Sequence, residues 1–540
     1  MTLKWMDRWF PPRELEPYWL QPDAPLERGD LIIRLLEGLR GPFAARAAGR
    51  LREITGELRM AERVRVDEVL RRQLTTSYGW GVPNWLESAD DVRRLPLPVG
   101  TEGAALGFIA AVPNGYVREA AVQRLAVVGG GDEVAPLLIR ANDWVFQVRT
   151  RALDALHARV VPDYAAHWIR VLRLVLRLRG TTRTDARPLV DAVLDLLRTD
   201  AAREAVWLGL HTPDVAARRA CFELLVQPGS PDQAELVFNV LGSDDVGIRL
   251  RAAHLAAQLD DTAVDDLLPR LLADRHGRVR IVALGIAVER MGAAALPALR
   301  EALLDRGAVI RADARAAIAR LEPMDFAAYY RARIGPDAPR LAEAVAGLAE
   351  TGAAADADAV APLLAHPRPR VRAAALRALI RLTGDAAVPA LVAALGDERA
   401  SVSRVAADAL RPRAARADVG ALAAWFIGPH PAHVRRNALA LLAGRGKWDG
   451  VAWILHACGD ADPVVQAVGM QQLRWWYQRF NRSFSQPAPA QQERIRAALA
   501  HAGDAIDPKM AKWLRFVAGI GASGRETNPR DPASAGADGS

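Results

Sequence analysis

The sequence predicts an all-α fold, a right-handed solenoid built from about 12–13 helical hairpins. Two observations predict it. A motif recurs roughly every 31 residues over most of the chain, and each copy carries an apolar stripe of helical spacing. The composition agrees, because 51% of the 540 residues are apolar, which is enough to bury a long core. The only two cysteines, Cys221 and Cys458, exclude a disulfide framework and a four-cysteine zinc site.

The repeated motif reads approximately V-R-x-x-A-x-x-x-L and follows a turn. We use the residue in the Arg position as a marker. The twelve markers are Arg118, Arg149, Arg187, Arg218, Arg249, Arg280, Arg311, Ala342, Arg372, Ser403, Arg435 and Gln466. Successive markers are 30–32 residues apart, except for one interval of 38 residues. Such a constant period is typical of solenoids.

The stripe around each marker predicts how the helices pack. The residue before the marker is apolar, the residue three positions after it is usually small, and the residue seven positions after it is apolar. These positions lie along one side of a helix, and a small residue between the others lets a second helix approach closely. A second helical pattern, for example over 132–141 or 387–396, alternates with the marker helix. One hairpin cannot bury both faces, so a stack is expected.

Aspartate stands six residues before the marker in five copies: Asp143, Asp274, Asp305, Asp397 and Asp460. Aspartate there suits a helix N-cap. Together with the marker arginines, this pattern over 103–475 resembles the short HEAT-like repeats associated with phycobilin lyases. In that family the Asp and Arg side chains form a ladder of hydrogen bonds between repeats. The resemblance implies this role for the five aspartates and the nine marker arginines, with interruptions at Ala342, Ser403 and Gln466.

Four segments follow along the chain. We expect an N-terminal helical cap with an aromatic, proline-rich start (1–103), a repeat solenoid (104–475) with a longer insertion near 160–187, a degenerate repeat and cap (476–521), and a disordered tail (522–540). Helical patterns in the N-terminal cap cover 30–40, 43–59 and 62–74. Its aromatic start and the loop 79–85 serve either as a cap or as a docking surface. In the degenerate repeat Leu499 replaces the small residue, so this helix should pack less closely.

Two irregular segments carry candidate binding residues. The insertion contains five arginines on or just after one helical face: Arg170, Arg173, Arg177, Arg179 and Arg183. They form either a solvated face or a site for an anion or an acidic partner. The segment after the last regular marker interleaves cations and aromatic rings: Arg474, Trp475, Trp476, Arg479 and Arg482. This pattern suits either a nucleic-acid surface or a C-terminal cap.

No catalytic or metal-binding constellation is recognisable in the sequence. The spacings of zinc proteases, P-loops and nucleophile elbows are missing, and the pair His430 and His433 has no carboxylate nearby. Cys221 occupies the small position of a stripe and should be buried and inert. We therefore expect no catalytic residue, no metal and no cofactor, and the sequence favours a non-catalytic protein.

The leading functional hypothesis is a scaffold or adaptor that binds a protein partner along the concave surface of the solenoid. Two alternatives stay open. The resemblance implies a bilin-lyase-like or chaperone-like role, and the basic patches suggest nucleic-acid binding. The net charge of +8 permits an acidic partner, but an arginine-rich composition alone is weak support for nucleic acid. No apolar run approaches the ~18 residues of a membrane span, so we expect a cytoplasmic protein, of open oligomeric state.

Overall fold

The computed structural model describes residues 27–76, 88–181, 185–226, 232–480 and 485–520, and the single positions 20, 86 and 183. All regular secondary structure in these ranges is helical, and the chain forms an all-α solenoid of hairpins similar to HEAT repeats. It divides into two compact units, unit 1 up to Ile286 and unit 2 from Ala287. The aromatic start (1–19), the loop 79–85, Arg482 and the tail 522–540 lie outside the described residues.

Unit 1 begins with four helices that precede the first hairpin: α1 (Arg28–Gly38), α2 (Ala44–Glu57), α3 (Met60–Thr76) and α4 (Ala89–Arg94). The first three occur where the apolar patterns predict helices. Six hairpins follow: α5 (Glu102–Ile109) with α6 (Gly115–Leu125), α7 (Val134–Arg140) with α8 (Phe146–His157), α9 (Ala165–Leu178) with α10 (Arg187–Leu197), α11 (Arg203–Gly209) with α12 (Val215–Leu225), α13 (Gln233–Val240) with α14 (Val246–Ala256), and α15 (Asp261–Leu272) with α16 (Gly277–Met291), the last turn of which belongs to unit 2.

Unit 2 continues the same alternation of a first helix and a marker helix. Its hairpins are α17 (Leu296–Ala302) with α18 (Ala308–Leu321), α19 (Phe326–Arg331) with α20 (Leu341–Thr351), α21 (Ala357–Val360) with α22 (Pro369–Thr383), α23 (Val388–Ala394) with α24 (Ala400–Leu410), α25 (Val419–Ile427) with α26 (Ala432–Ala443), and α27 (Lys447–Cys458) with α28 (Pro463–Arg479). The degenerate repeat helix α29 (Pro489–Ala502) and the last helix α30 (Pro508–Val517) follow. Short 3-10 turns join several of these helices.

The predicted stripe forms the core of every marker helix. The side chain before the marker is at most 3% exposed in all twelve copies: Val117, Val148, Ala186, Ala217, Ile248, Val279, Ile310, Leu341, Val371, Val402, Val434 and Val465. The small position is equally buried, and at Gly469 it permits direct contact between helix backbones. A Cβ on Gly469 would lie 2.8 Å from backbone atoms of Ala457 and Cys458 in α27. Small residues therefore set the helix separation, as the stripe predicts.

The degenerate last repeat corrects one expectation. Leu499 is only 6% exposed and belongs to the core that α29 forms with α27. The small residue comes instead from the neighbouring segment, because a Cβ on Gly459 would lie 2.6 Å from the backbone oxygen of His501 in α29. The prediction that α29 packs less closely was therefore wrong. The close approach is retained, but the glycine that allows it lies on the other side of the contact.

The five aspartates before the markers also occupy a different position from the one predicted. Each accepts a hydrogen bond from the backbone N–H two residues later, and the helix begins one residue after that N–H or later. In α8, for example, the N-cap residue is Val145 and not Asp143. The aspartate thus closes a turn just before the helix and keeps its second oxygen for another partner.

One stretch, Gly277–Ala302, is long and apolar enough to cross a membrane by length and composition, so the expectation that no such run exists was wrong. The structure breaks it into α16 and α17, separated by a 3-10 turn over Gly292–Ala295. Gly292 has a φ of 54° in that turn, a conformation that favours glycine. A single stretch of this kind is weak evidence for a membrane span, because a helix from a protein core can pass the same test.

Candidate partner-binding surfaces

The marker Arg118 forms a bidentate ion pair with Asp143 of the next hairpin. Its Nε donates to Asp143 Oδ2 at 3.1 Å and its Nη2 to Oδ1 at 3.0 Å, and neither side chain is exposed. Its Nη1 donates to the carbonyl oxygens of Val112 and Pro113. Burial opposes the charge on Asp143, but hydrogen bonds from Arg118 and the Val145 N–H hold the pKa of this carboxyl below its ordinary value.

Three further markers make the same contact with an aspartate 25 residues later: Arg249 with Asp274, Arg372 with Asp397, and Arg435 with Asp460. We call these four ion pairs rungs, because each ties a marker helix to the turn that precedes the next one. Burial again opposes ionisation of Asp274 and Asp397, yet the guanidinium hydrogen bonds hold the pKa of each carboxyl below its ordinary value. Guanidinium and carboxylate match geometrically, which favours this bidentate arrangement.

Three consecutive markers of unit 1 form no rung, which departs from the implied ladder. The residue 25 positions later cannot supply a carboxylate in these copies: Leu174, Thr212 and Ser243. Arg149 donates to the carbonyl oxygen of Asp143 at 2.7 Å, and Arg187 pairs with Asp185 in its own turn, where it is 73% exposed. The Nε of Arg218 is buried without an acceptor. The neighbouring Arg219 pairs with Asp245 instead.

Marker side chains also bind backbone carbonyl oxygens. Arg280 donates to the Asp274 carbonyl at 2.6 Å and Arg311 to the Asp305 carbonyl at 2.7 Å, and Arg311 also pairs with Glu350. Where the marker is not arginine, a shorter polar side chain reaches a carbonyl eight residues earlier: Ser403 to Leu395 at 2.6 Å, and Gln466 to Cys458 at 3.2 Å. Ala342 has no side-chain donor. Most marker arginines are therefore occupied within the fold.

Helix α3 lies across the first helices of the N-terminal hairpins. Leu70 of α3 lines a small cavity of about 50 Å³ together with Phe108 of α5 and Ile139 of α7. Asp67, one helical turn earlier, forms an ion pair with Arg140 of α7. α3 also contacts α9. A helix from outside the repeats thus covers part of the surface that the first helices would otherwise present to solvent.

A larger cavity of about 670 Å³, which we call the basic cavity, lies between α3, α7 and α9. Five arginines line it: Arg71, Arg72, Arg140, Arg177 and Arg183. Three carboxylates line it as well: Asp67, Glu68 and Asp143. Asp67 and Asp143 both pair with Arg140, so much of this charge is neutralised inside the cavity. The lining is therefore mixed in charge, with a small excess of cations.

Two arginines of the basic cavity remain available to a ligand. Arg177 forms no ion pair with any residue in the described ranges, and Arg183 donates one hydrogen bond, from its Nη1 to the Asn142 carbonyl oxygen at 3.3 Å. Both side chains are exposed. The Oδ1 atom of Asn142 is buried and accepts no hydrogen bond. The cavity thus offers two guanidinium donors and one carbonyl acceptor.

The structure separates the five arginines that the sequence groups in the insertion. Arg177 and Arg183 line the basic cavity, whereas Arg170 and Arg173 line another cavity of about 830 Å³. In that second cavity Arg170 lies 3.6 Å from Asp132 and Arg173 lies 3.3 Å from Asp214; Arg179 pairs with Asp191. These five arginines do not form one patch, because α3 contacts α9 and contributes residues to both cavities. Sequence distance hides this contact, since α3 precedes α9 by about 100 residues.

Three exposed aromatic side chains lie beside the basic cavity, and we call them the aromatic edge. They are Tyr116 (76% exposed), Trp144 (66%) and Phe146 (64%). Trp144 lines the cavity. A Cβ on Gly115 would lie 3.4 Å from a methyl group of Val145, which places the start of α6 against the start of α8. This group was missed in the sequence analysis. A signal was present, because aromatic residues make up only 6% of the chain, yet three of them stand just before the successive markers Arg118 and Arg149.

The C-terminal aromatic segment is divided between core and surface. Trp476 and Phe480 pack with Trp448 and Trp513, with ring centroids 4.8–6.2 Å apart. Trp476 also donates to the Lys447 carbonyl oxygen. The other predicted residues point away from this cluster, because Trp475 is 53% exposed and Arg474 and Arg479 are exposed. Of the four candidate residues that the structure describes in this segment, only Trp476 therefore packs against the core.

The described residues contain no group of three or more His, Cys, Asp or Glu side chains that could hold a metal ion. His430 packs against Trp425, and His433 contacts the Asp397 carbonyl oxygen, so the two side chains have different partners. Cys221 and Cys458 are free thiols, and burial raises the pKa of each to about 12. Such thiols are poor nucleophiles at neutral pH.

No protein-family model and no curated protein matches the chain. Several solved structures show some similarity. Importin beta in an ammonium sulfate condition is 12% identical, with 93% of this chain and 80% of that chain covered and a TM-score of 0.33. The Kap95:Nup1 complex is 12% identical, with 92% and 74% covered and a TM-score of 0.35. Kap121p is 14% identical, with 91% and 55% covered and a TM-score of 0.22. At these TM-scores the similarities carry no argument about function.

Proposed function

We propose that the chain is a non-catalytic scaffold that binds a protein partner at the aromatic edge and the basic cavity of unit 1. The carrying observation is the juxtaposition of three exposed aromatic rings with two arginines that are free for a ligand. Trp, Tyr and Arg are the residues that most often contribute strongly to protein–protein interfaces. The mixed charge of the cavity favours a protein segment over nucleic acid, because an excess of only two cations suits a few carboxylates better than a backbone with a charge on every phosphate.

The same geometry describes the partner segment. It should bring apolar side chains to Trp144 and Phe146 and carboxylates to Arg177 and Arg183. Arginine forms bidentate hydrogen bonds with carboxylates, which would fix the register of the segment in the cavity. The free, buried thiols suit a reducing compartment, and the cytoplasm is the location we propose.

The test uses the full-length protein with a photo-crosslinking amino acid at position 144 or 146, in nuclease-treated lysate from its own cells. Val127 provides a matched control, because it is 86% exposed but lies outside the site. We expect a discrete protein adduct from positions 144 and 146 that is missing at 127. The Arg177→Glu/Arg183→Glu variant should lose it. Equal adducts at all three positions, or none at any, would contradict the proposal.

We also propose that the hairpins are of the short HEAT-like type associated with phycobilin lyases. The spacing of about 31 residues and the four rungs support this assignment. Related sequences provide the test. If homologues keep Asp 25 residues after each rung arginine, and lose both residues together, the assignment holds. Independent variation of the two positions would count against it.

A further inference from the structure

A second surface, at the C-terminal end of unit 2, differs from the mixed charge of the basic cavity, because its charged side chains are cationic. It combines the last turns of α28 with the exposed side of α30, and we call it the terminal face. Five exposed cations belong to it: Arg474, Arg479, Lys509, Lys512 and Arg515. Neither 463–480 nor 508–520 contains an acidic residue. The nearest carboxylate before α30, Asp507, is occupied as the cap of that helix.

Ring contacts join the two helices into one surface. Tyr477 of α28 packs edge-on against Trp513 of α30, with ring centroids 4.7 Å apart. Trp513 in turn contacts Trp476 and Phe480 of the buried cluster, which fixes α30 against the end of α28. The terminal face is therefore attached to a rigid aromatic core.

Three aromatic side chains of the terminal face are directed to solvent. Phe516 is 82% exposed, Trp475 is 53% exposed and Tyr477 is 47% exposed. Along the two helices they alternate with cations, since Trp475 follows Arg474 and Phe516 follows Arg515. None of the five cations forms an ion pair within the part of the chain that the structure describes. Free cations between separate exposed rings match the alternation of phosphates and bases in a single strand.

We propose that the terminal face binds single-stranded nucleic acid, with the cations contacting phosphates and Trp475, Tyr477 and Phe516 stacking on unpaired bases. A duplex fits less well, because its bases are already stacked on one another. A membrane also fits less well. The apolar side of α30, with Leu514 and Ala518, is buried in the core of the protein and cannot enter a bilayer.

The test measures the fluorescence anisotropy of a labelled oligothymidylate or oligouridylate of about 12 nucleotides as full-length protein is added at low salt. We expect Trp475→Ala/Phe516→Ala to weaken binding by about 5-fold to 100-fold per ring. Trp475→Phe, which keeps a stacking ring, should retain most of the affinity. Both variants change exposed side chains, so melting temperature should not move.

Charge variants give an independent readout. Lys512→Ala/Arg515→Ala should reduce the slope of log K against log salt by about 1.4, since each phosphate contact in a single strand contributes about 0.7. Arg404→Ala/Arg436→Ala is the matched control, with the same charge change on exposed, unpaired side chains of α24 and α26. It should leave both the affinity and the slope unchanged.

Three results would overturn the proposal. A duplex of equal length could bind as tightly as the single strand, or removal of the rings could leave binding intact while any loss of charge weakens it. Third, the protein could co-sediment with phosphatidylserine vesicles, bound through its terminal face, while the oligonucleotides do not bind. The partner site of unit 1 is untouched by these variants, so its crosslinks should persist whichever result is obtained.

Discussion

Replacement of Asp143 by asparagine removes the acceptor on which the most buried rung depends. Arg118 is fully buried and Arg140 is 2% exposed, and both donate to this carboxylate. Asparagine keeps one oxygen for the Val145 N–H but brings no negative charge. Loss of one partner of a buried ion pair leaves a buried cation without its counter-charge, which costs about 3–5 kcal/mol of folding free energy. We expect Asp143→Asn to destabilise the α6–α8 region by this amount.

Hydrogen exchange under native conditions measures this loss locally, which suits a repeat array because its hairpins need not unfold together. Asp185→Asn is the matched control. The pair of Asp185 with Arg187 is 54% and 73% exposed and screened by solvent, so its removal should leave the stability of the fold almost unchanged. The double variant Arg118→Met/Asp143→Leu should recover much of the loss, because apolar side chains can replace a buried ion pair. Equal effects of Asp143→Asn and Asp185→Asn on α6–α8 would refute this reasoning.

Three further predictions concern pH, helix separation and the aromatic cluster. The pKa values of the rung carboxyls Asp143, Asp274 and Asp397 are lowered, so these groups stabilise the fold fully above about pH 4, their ordinary unfolded pKa, and this contribution is lost as the pH falls through the folded values. The melting temperature should therefore fall over this acidic range. It should fall less steeply when the three aspartates are replaced by asparagine. Gly469→Val should lower the free energy of unfolding by about 1–3 kcal/mol, because a Cβ would meet the α27 backbone. Gly285→Ala, with open space around the Cβ, should leave this free energy unchanged or raise it. Urea unfolding measures both. Trp476→Ala should reduce the stability of the α27–α30 region by about 3–5 kcal/mol, and the neighbouring Trp475→Ala by less than about 0.5 kcal/mol. Amide hydrogen exchange in α27–α30 measures both losses.

The repeat could be read from the sequence because its physics is local. A helix shows its buried side through residues three and four positions apart, so the stripe from Val117 to Leu125 defines its own inward face. The period of the markers then gives the stack. The resemblance added the rungs, which form at Arg118, Arg249, Arg372 and Arg435, where the residue 25 positions later is aspartate.

The candidate sites could be predicted only in part, because they depend on contacts between distant segments. Nothing in the insertion shows that α3 meets α9 and divides the predicted arginines between two cavities. The neighbouring residues Trp475 and Trp476 look alike in sequence, and only the position of Trp513 on α30 decides which of them is buried. The aromatic edge escaped prediction for a related reason. A stripe identifies what is buried, but it does not show which of the remaining side chains gather at one place.

The uneven spacing of the rungs gives unit 1 an uneven stiffness. Ion pairs tie the chain at Arg118, at Arg249 and, through Arg219 with Asp245, between α12 and α14. The markers Arg149 and Arg187 of α8 and α10 bind only within their own turns and leave these hairpins joined mainly through apolar contacts. Under tension these hairpins would separate first, because apolar contacts hold them together less firmly than ion pairs. Trp144 directly follows Asp143 and sits at the stiff end. A force applied through a partner at the aromatic edge would therefore act beside the rung of Arg118 and Asp143, and the hairpins of α8 and α10 would deform before that rung does.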